Sequence, residues 1–491
     1  MNRFLSTLPV LLSLLNLVSA AQKSVTLDIV NAPIAPDGFM RIYCIRLSAS
    51  CSFPGPVITA QKGDSLSVQV NNKLTDGSMR LSTSIDFDGL NFDTDNVYNE
   101  GSPFVTTCPF GPNTSYTYGA PGNQTGSYWY HSSLSLQYAD GLRGALVIYD
   151  PEDPQKDLYD VDDESTIWTV ADWWHNTSTV GLISYNLTQI IPFLTGLAVA
   201  SSKGRGRYNG GPAVPYAVQN VTKGTRYRFR LINISARTFF TVSIDNRESF
   251  FLYIIEADGL PTQPHEVNVL DIMPGQRYSI VVTADQPADN YWINTILHGG
   301  NAAFNLNLNS TLGRGILRYE GAPDQEPTTP MTLGPQGAAA NALVESDLRP
   351  LFPTPAPEPD YNLTFVTNMP VNKTIWTIND IQYIPPNVPT LIQVLDGASN
   401  DSDFGLNENT FVFPRNKVIQ ITFPPDPDNE LHPFTLHGQN FWLVKSNSSG
   451  LINTENPIRR NVAAAGSNGT ILRFTTDQPG PWFSSQRLPH L

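Results

Sequence analysis

The sequence predicts an all-β chain of three tandem Greek-key β-sandwich domains, and three observations carry that prediction. A basic turn followed by an alternating strand occurs three times, a Trp-containing segment closes each copy at a matched distance, and the composition is proline-rich and charge-poor. Only 15% of the residues are charged and 40 are Pro, against roughly a quarter charged in a typical soluble domain. That profile suits short strands joined by many turns better than amphipathic helices.

The repeated strand reads Lys62-Gly-Asp-Ser-Leu-Ser-Val-Gln-Val-Asn, then Lys223-Gly-Thr-Arg-Tyr-Arg-Phe-Arg-Leu-Ile-Asn, then Arg415-Asn-Lys-Val-Ile-Gln-Ile-Thr-Phe. Apolar residues at every second position place one face of each strand in a core. The closing segment reads Gly126-Ser-Tyr-Trp-Tyr, then Asp289-Asn-Tyr-Trp-Ile, then Gly480-Pro-Trp-Phe. From Lys62 to Trp129, Lys223 to Trp292 and Arg415 to Trp482 the separations are 67, 69 and 67 residues. A spacing kept three times is the mark of an internal repeat.

Seams follow from the turn residues. Asp150-Pro-Glu-Asp-Pro154 follows a strand-like Ala145–Tyr149, and Glu320 to Pro330 follows Gly315–Tyr319. The expected domains are 21–150, 151–320 and 321–491, the last cut short at its C-terminus, with a proline-rich spacer over Pro350–Asp360. Residues 1–20 read as a signal peptide: Arg3 precedes an apolar run from Phe4 to Val18, and Val18-Ser19-Ala20 has the small-residue cleavage pattern. No later segment has the run of about 18 apolar residues that a membrane span needs.

A net charge of −14 argues against a nucleic-acid partner. N-x-[ST] sequons recur along the chain, among them those beginning at Asn113, Asn123, Asn176, Asn186, Asn220, Asn362, Asn372 and Asn468, as expected of a secreted, extracellular glycoprotein. The three cysteines are Cys44, Cys51 and Cys108. Cys44 and Cys51 are close enough to close a small loop, which leaves Cys108 a free thiol or an intermolecular link unless one of them claims it.

A series of phrases then resembles the blue multicopper oxidases, and most closely the fungal laccases. They include Phe53-Pro-Gly-Pro-Val-Ile-Thr, Trp129-Tyr-His-Ser, Gln137-Tyr-Ala-Asp-Gly-Leu-Arg-Gly144, Ala171-Asp-Trp-Trp-His175, Ile255-Glu-Ala-Asp-Gly259, His432-Pro-Phe-Thr-Leu-His-Gly438 and Phe474 to Phe483. The resemblance runs from about Ser24 to about Phe483. It implies cupredoxin-like domains, copper as cofactor and a phenolic small molecule as substrate. One copper would lie in the third domain and a three-copper cluster between the first and third.

The same resemblance predicts that the activity is lost. The family uses ten His and one Cys as copper ligands, whereas this chain has seven His in all. Where the family has His-Trp-His-Gly, the chain reads Asp86-Phe87-Asp88-Gly89; where it has His-Ser-His, the chain reads His131-Ser132-Ser133. The His-Pro-Phe-His-Leu-His segment keeps His432 and His437 but has Thr435 in the middle. Where the family's last segment reads His-Cys-His followed by a further His, Trp482-Phe483 here runs into Ser484-Ser-Gln-Arg-Leu-Pro-His-Leu491, without the thiolate or its flanking histidines. The retained ligand positions are His131, His432 and His437.

Alternation places Asp86 and Asp88 on one strand face and Phe87 on the other. A pocket of Asp86, Asp88, His131, Ser133, Thr435 and His437 is therefore expected. Its carboxylates and imidazoles suit Zn²⁺ or Mn²⁺ or acid–base chemistry by Asp86 and Asp88, or the carboxylates are simply solvated or hydrogen-bonded. A cysteine pair common in the family is replaced by Ala139 and Ala236, and the phenol-contacting acid by Arg237. His175, His265, His298 and His490 read as structural, surface or loop residues.

The expected function is thus a laccase-like homologue without copper-dependent phenol oxidation, in association with another laccase subunit. An active laccase-type oxidoreductase, or a metal-binding non-redox enzyme using Asp86, Asp88, His131 and His437, is the alternative.

Overall fold

The computed structural model describes residues 21–47, 50–178, 196–200, 204–245, 250–298, 309–329, 341–368, 376–426 and 431–486, without the side chains of 42–51 and 196–200. The leader reading for residues 1–20 lies outside them. Strands dominate, and among the described residues the one α-helix is Thr390–Leu395. No described helix is long and apolar enough to cross a membrane.

The first sandwich pairs a five-stranded with a four-stranded sheet. The five run in the order Ser50–Ser52, Arg41–Leu47, Gln22–Ile34, Ser65–Lys73, Ser115–Ala120; the four are Gly55–Gln61, Arg143–Tyr149, Gly126–His131 and Asp86–Asp88. Along Ser65–Lys73 the residues Leu66, Val68, Val70 and Asn72 are buried at alternate positions, so the period read from the sequence is the period of burial. Between the sheets Leu27, Ile29, Val68, Phe87, Tyr118 and Leu146 form the core.

The second domain pairs a six-stranded and a five-stranded sheet. In the third, a five-stranded sheet containing Val418–Phe423 and Thr470–Thr475 faces a three-stranded one, ordered Val462–Ala465, His432–Leu436, Ser484–Gln486. Apolar residues of these two domains, from Trp168 and Phe229 to Phe434 and Phe474, make one continuous cluster.

All three basic turns precede strands, at Ser65–Lys73, Arg226–Asn233 and Val418–Phe423. The closing segment is a strand in the first two copies, Gly126–His131 and Asn290–His298, but not in the third. Trp482 lies in a loop, with the strand beginning two residues later at Ser484. Its half-buried ring packs on the core of the first domain, and its indole nitrogen donates to the Gln478 carbonyl (2.8 Å). The aromatic residue that the spacing assigns to a sheet is used as a wedge between domains.

Gly438 makes room for that wedge. Its φ is +70°, and a Cβ there would overlap the Trp482 ring. Gly438→Ala is expected to cost about 1–3 kcal/mol through overpacking and left-handed strain, read as a lowered denaturation midpoint at unchanged m-value.

Candidate functional site

The strand Asp86–Asp88 pairs antiparallel with Gly126–His131 in the register Asp86 opposite His131 and Asp88 opposite Trp129. Phe87 points into the first-domain core, while Asp86 and Asp88 share the other face, as alternation predicts. Asp86 Oδ2 and Asp88 Oδ2 lie 3.9 and 3.8 Å from His131 Nε2. The Ser133 hydroxyl donates to Asp86 Oδ2 (2.7 Å) and lies 3.3 Å from His131 Nδ1.

The third domain completes the site. His437 follows the strand His432–Leu436, and the Phe92 amide donates to the Gly438 carbonyl at 3.1 Å. This cross-domain bond brings His437 onto the acidic face, where Nδ1 lies 3.0 Å from Asp86 Oδ2 and 2.9 Å from Glu100 Oε1. Its Nε2 is 3.0 Å from Ser485 Oγ. Glu100 is itself held by the Ser102 amide (2.9 Å), the Ser102 hydroxyl (2.9 Å) and the Thr106 hydroxyl (2.8 Å).

All of these ionisable groups are buried: Asp86 is 0%, Glu100 1%, Asp88 and His131 2%, and His437 4% exposed. The solvated alternative for the aspartates is therefore excluded. Burial by itself lowers the His437 pKa, but the charge and hydrogen bonds of Asp86 and Glu100 outweigh it and raise the pKa to about 10. For His131 burial wins over the pull of Asp86, and its pKa falls. The two imidazoles are thus driven apart, one cationic and one neutral at pH 7.

Asp88 belongs to a second network. The Asn461 amide donates to Asp88 Oδ1 at 2.7 Å, and Arg277 Nη1 donates to Asn461 Oδ1 at 2.7 Å while lying 3.8 Å from Asp88 Oδ1. Asp258 accepts from Arg460 Nε (2.9 Å) and Nη2 (3.0 Å), from the Arg277 amide (2.9 Å) and from the Val462 amide (3.2 Å). Burial opposes ionisation of Asp258, yet Arg460 and Arg277 hold its pKa below the usual carboxylate range. This charge network ties the three sandwiches together.

Of the expected six-residue pocket, Asp86, Asp88, His131, Ser133 and His437 lie within contact of one another. Glu100 joins them. Asp88 faces His131 but is engaged by Asn461. Thr435 is buried in the middle of its strand, with Ser485 and Val462 opposite it in the register. Asp86, Glu100 and His437 each offer a ligand atom within 4.8 Å of the others. His432 lies apart, its Nδ1 accepting from the Gln486 amide (2.6 Å) and its Nε2 3.3 Å from Asp426 Oδ2.

Other sequence-selected residues can also be placed. Ala139 and Ala236 pack in one small cluster with Tyr138, so the two segments meet. Half-buried Arg237 donates its amide to Asp172 Oδ2 at 2.9 Å. His175 is structural, 2.8 Å from Asp37 Oδ2 and stacked on Phe39. His265 and His298 are strand residues rather than loop residues. His490 and the Cys44 and Cys51 side chains lie outside the described residues, and Cys108 is an exposed free thiol.

Glu100, Ser102, Asn461, Ser485 and Gln486 were not singled out in the sequence. Glu100 sits at the end of a short 3₁₀ turn at Val97–Asn99, where no strand period marks which side chain turns inward. Asn461 and Arg277 reach Asp88 across 373 and 189 positions of chain, which only tertiary packing reveals.

Three tandem sandwiches with a buried site between the first and third define the multicopper oxidase architecture, and the comparisons agree. The multicopper oxidase family profiles match residues 47–153, 164–322 and 383–485. The chain belongs to the multicopper oxidase family, in its laccase branch. It is 44% identical to Laccase-4 of Thanatephorus cucumeris, over 98% of this chain and 89% of that protein. It is 41% identical to Laccase-2 of Agaricus bisporus, over 98% and 90%. Among solved structures, the laccase from Botrytis aclada superposes with a TM-score of 0.80 at 27% identity, over 96% of this chain and 86% of that one.

Proposed function

We propose that this protein is a secreted, glycosylated laccase-like protein that does not carry out copper-dependent oxidation of phenols by dioxygen. The observation that carries this reading is His437 Nδ1, held between Asp86 and Glu100 at 3.0 and 2.9 Å. A metal-binding imidazole must be neutral and must present a lone pair. Here the nitrogen that faces the site donates to carboxylates, and the cation that balances Asp86 and Glu100 is an imidazolium.

The donor set around that point does not fit the family's copper. Imidazole and thiolate donors suit copper, whereas carboxylates suit harder ions. At the second site, where the resemblance expects a thiolate, the Gln486 amide hydrogen-bonds His432. Arg237 adds a cation where the resemblance implies an acid that accepts the phenolic proton. His131, His432 and His437 are on this reading vestigial ligand positions.

Secretion is supported by the apolar leader ending at Ala20. Glycosylation is supported by Asn113, Asn123, Asn176, Asn220, Asn362 and Asn468, all exposed.

A second reading is favoured by one observation, the 4.8 Å grouping of Asp86, Glu100 and His437. Once His437 gives up its proton, that trio suits a zinc or manganese ion. Oxygen uptake by the purified secreted chain with a methoxyphenol tests both readings. The expected result is uptake no faster than in buffer. Uptake with turnover would contradict the proposal; zinc or manganese at one ion per chain without uptake would replace it by the second reading. Co-purification with a catalytically intact laccase tests the association with another subunit.

A further inference from the structure

A cavity of about 670 Å³ lies between the site and the interior of the third sandwich. Close-packed interiors hold few voids larger than a water molecule, while small-molecule sites occupy roughly 300–1,000 Å³. This volume belongs to the second class. It is lined by third-domain core side chains, Phe365, Ile421, Leu436 and Phe474, and by the rings of Trp376, Tyr383 and Phe483. Such a lining hydrates poorly and favours an aromatic occupant.

Glu408 and Arg415 also line the cavity with opposite charges, so the net charge facing an occupant is set at the His437 end. His131, Ser133, His437 and Ser485 border the cavity, and behind His437 stand Asp86 and Glu100. Two carboxylates face one imidazole, so this end is net negative whether or not the imidazole is protonated. An anion is repelled there. The hydroxyl oxygen of Tyr383 is buried without a hydrogen-bond partner among the described residues, and its ring, which lines the cavity, is 5.2 Å from that of Phe483. A buried hydroxyl left without a partner is costly, so an occupant carrying an acceptor relieves it.

We propose that this cavity binds a neutral, aromatic small molecule bearing a hydrogen-bond acceptor. The proposal rests on the preceding reading only at the His437 end, where a metal cluster would take part of the space. The test is isothermal titration of the full secreted chain with 2-acetylnaphthalene and with 2-naphthoate, near-isosteres that differ in charge, on a sample whose metal content is measured.

Saturable binding of one 2-acetylnaphthalene per chain is expected, with 2-naphthoate at least about tenfold weaker. Tyr383→Phe should weaken the neutral probe about three- to tenfold through the lost hydrogen bond, with circular dichroism unchanged. Ile381→Trp, which places an indole at a lining position, should abolish binding; if that variant does not fold, Tyr383→Phe decides. No saturable binding by metal-free protein, equal binding of the two probes, or affinity unmoved by Tyr383→Phe would overturn the proposal. Failure on a sample found to carry copper would instead overturn the preceding reading.

Discussion

Asp258→Asn is expected to destabilise the protein by about 3–5 kcal/mol, the cost of removing one partner from a buried ion pair. Asp258 accepts four hydrogen bonds, two from Arg460 and two from backbone amides. Asp258 and the two guanidinium groups that face it, Arg277 and Arg460, are no more than 1% exposed. With the charge gone, both cations stay in the interior without their shared counter-ion. Asn is chosen because residue 258 has a φ of +49°, a conformation Asn tolerates, so the loss reports charge and not backbone strain. Chemical denaturation gives the free energy. Because the network joins all three sandwiches, the variant should also unfold less cooperatively.

His437→Gln is the second large effect, expected to cost about 3–5 kcal/mol at neutral pH by leaving Asp86 and Glu100 facing each other. It also has a pH signature. An unfolded histidine titrates near 6.5, and the folded pKa here is raised to about 10. A raised folded pKa means that the folded state holds the proton more tightly. Its stabilisation is therefore fully present below about pH 6.5 and is lost as pH rises toward 10. The wild-type chain should lose stability across that window while His437→Gln shows a flatter profile. Equal slopes would remove His437 as the buried cation.

Much of this was legible in the sequence, for identifiable reasons. The strands after Lys62, Lys223 and Arg415 were readable because a period of two survives folding unchanged. Alternation also placed Asp86 and Asp88 on one face. It could not say that Asp86 meets His437 while Asp88 meets Asn461, since that choice is made by how the third domain docks on the first. Trp482 misled because its spacing matches Trp129 and Trp292, yet it serves a domain contact and not a sheet. Glu100 lay in a turn without periodicity, so no pattern in the sequence marks that it turns inward to His437.

The seven histidines carried the expectation of lost activity from a count; the geometry adds how the buried charges are balanced. Buried carboxylates need a cation. In this chain, protonated His437 and the guanidinium of Arg277 are placed to supply that charge.

The most direct test is equilibrium dialysis of the full secreted chain against Cu²⁺, followed by removal of free ion, metal quantification and a visible spectrum. Copper well below one ion per chain and no intense blue band are expected. A full complement of tightly held copper with that band would contradict the proposed function.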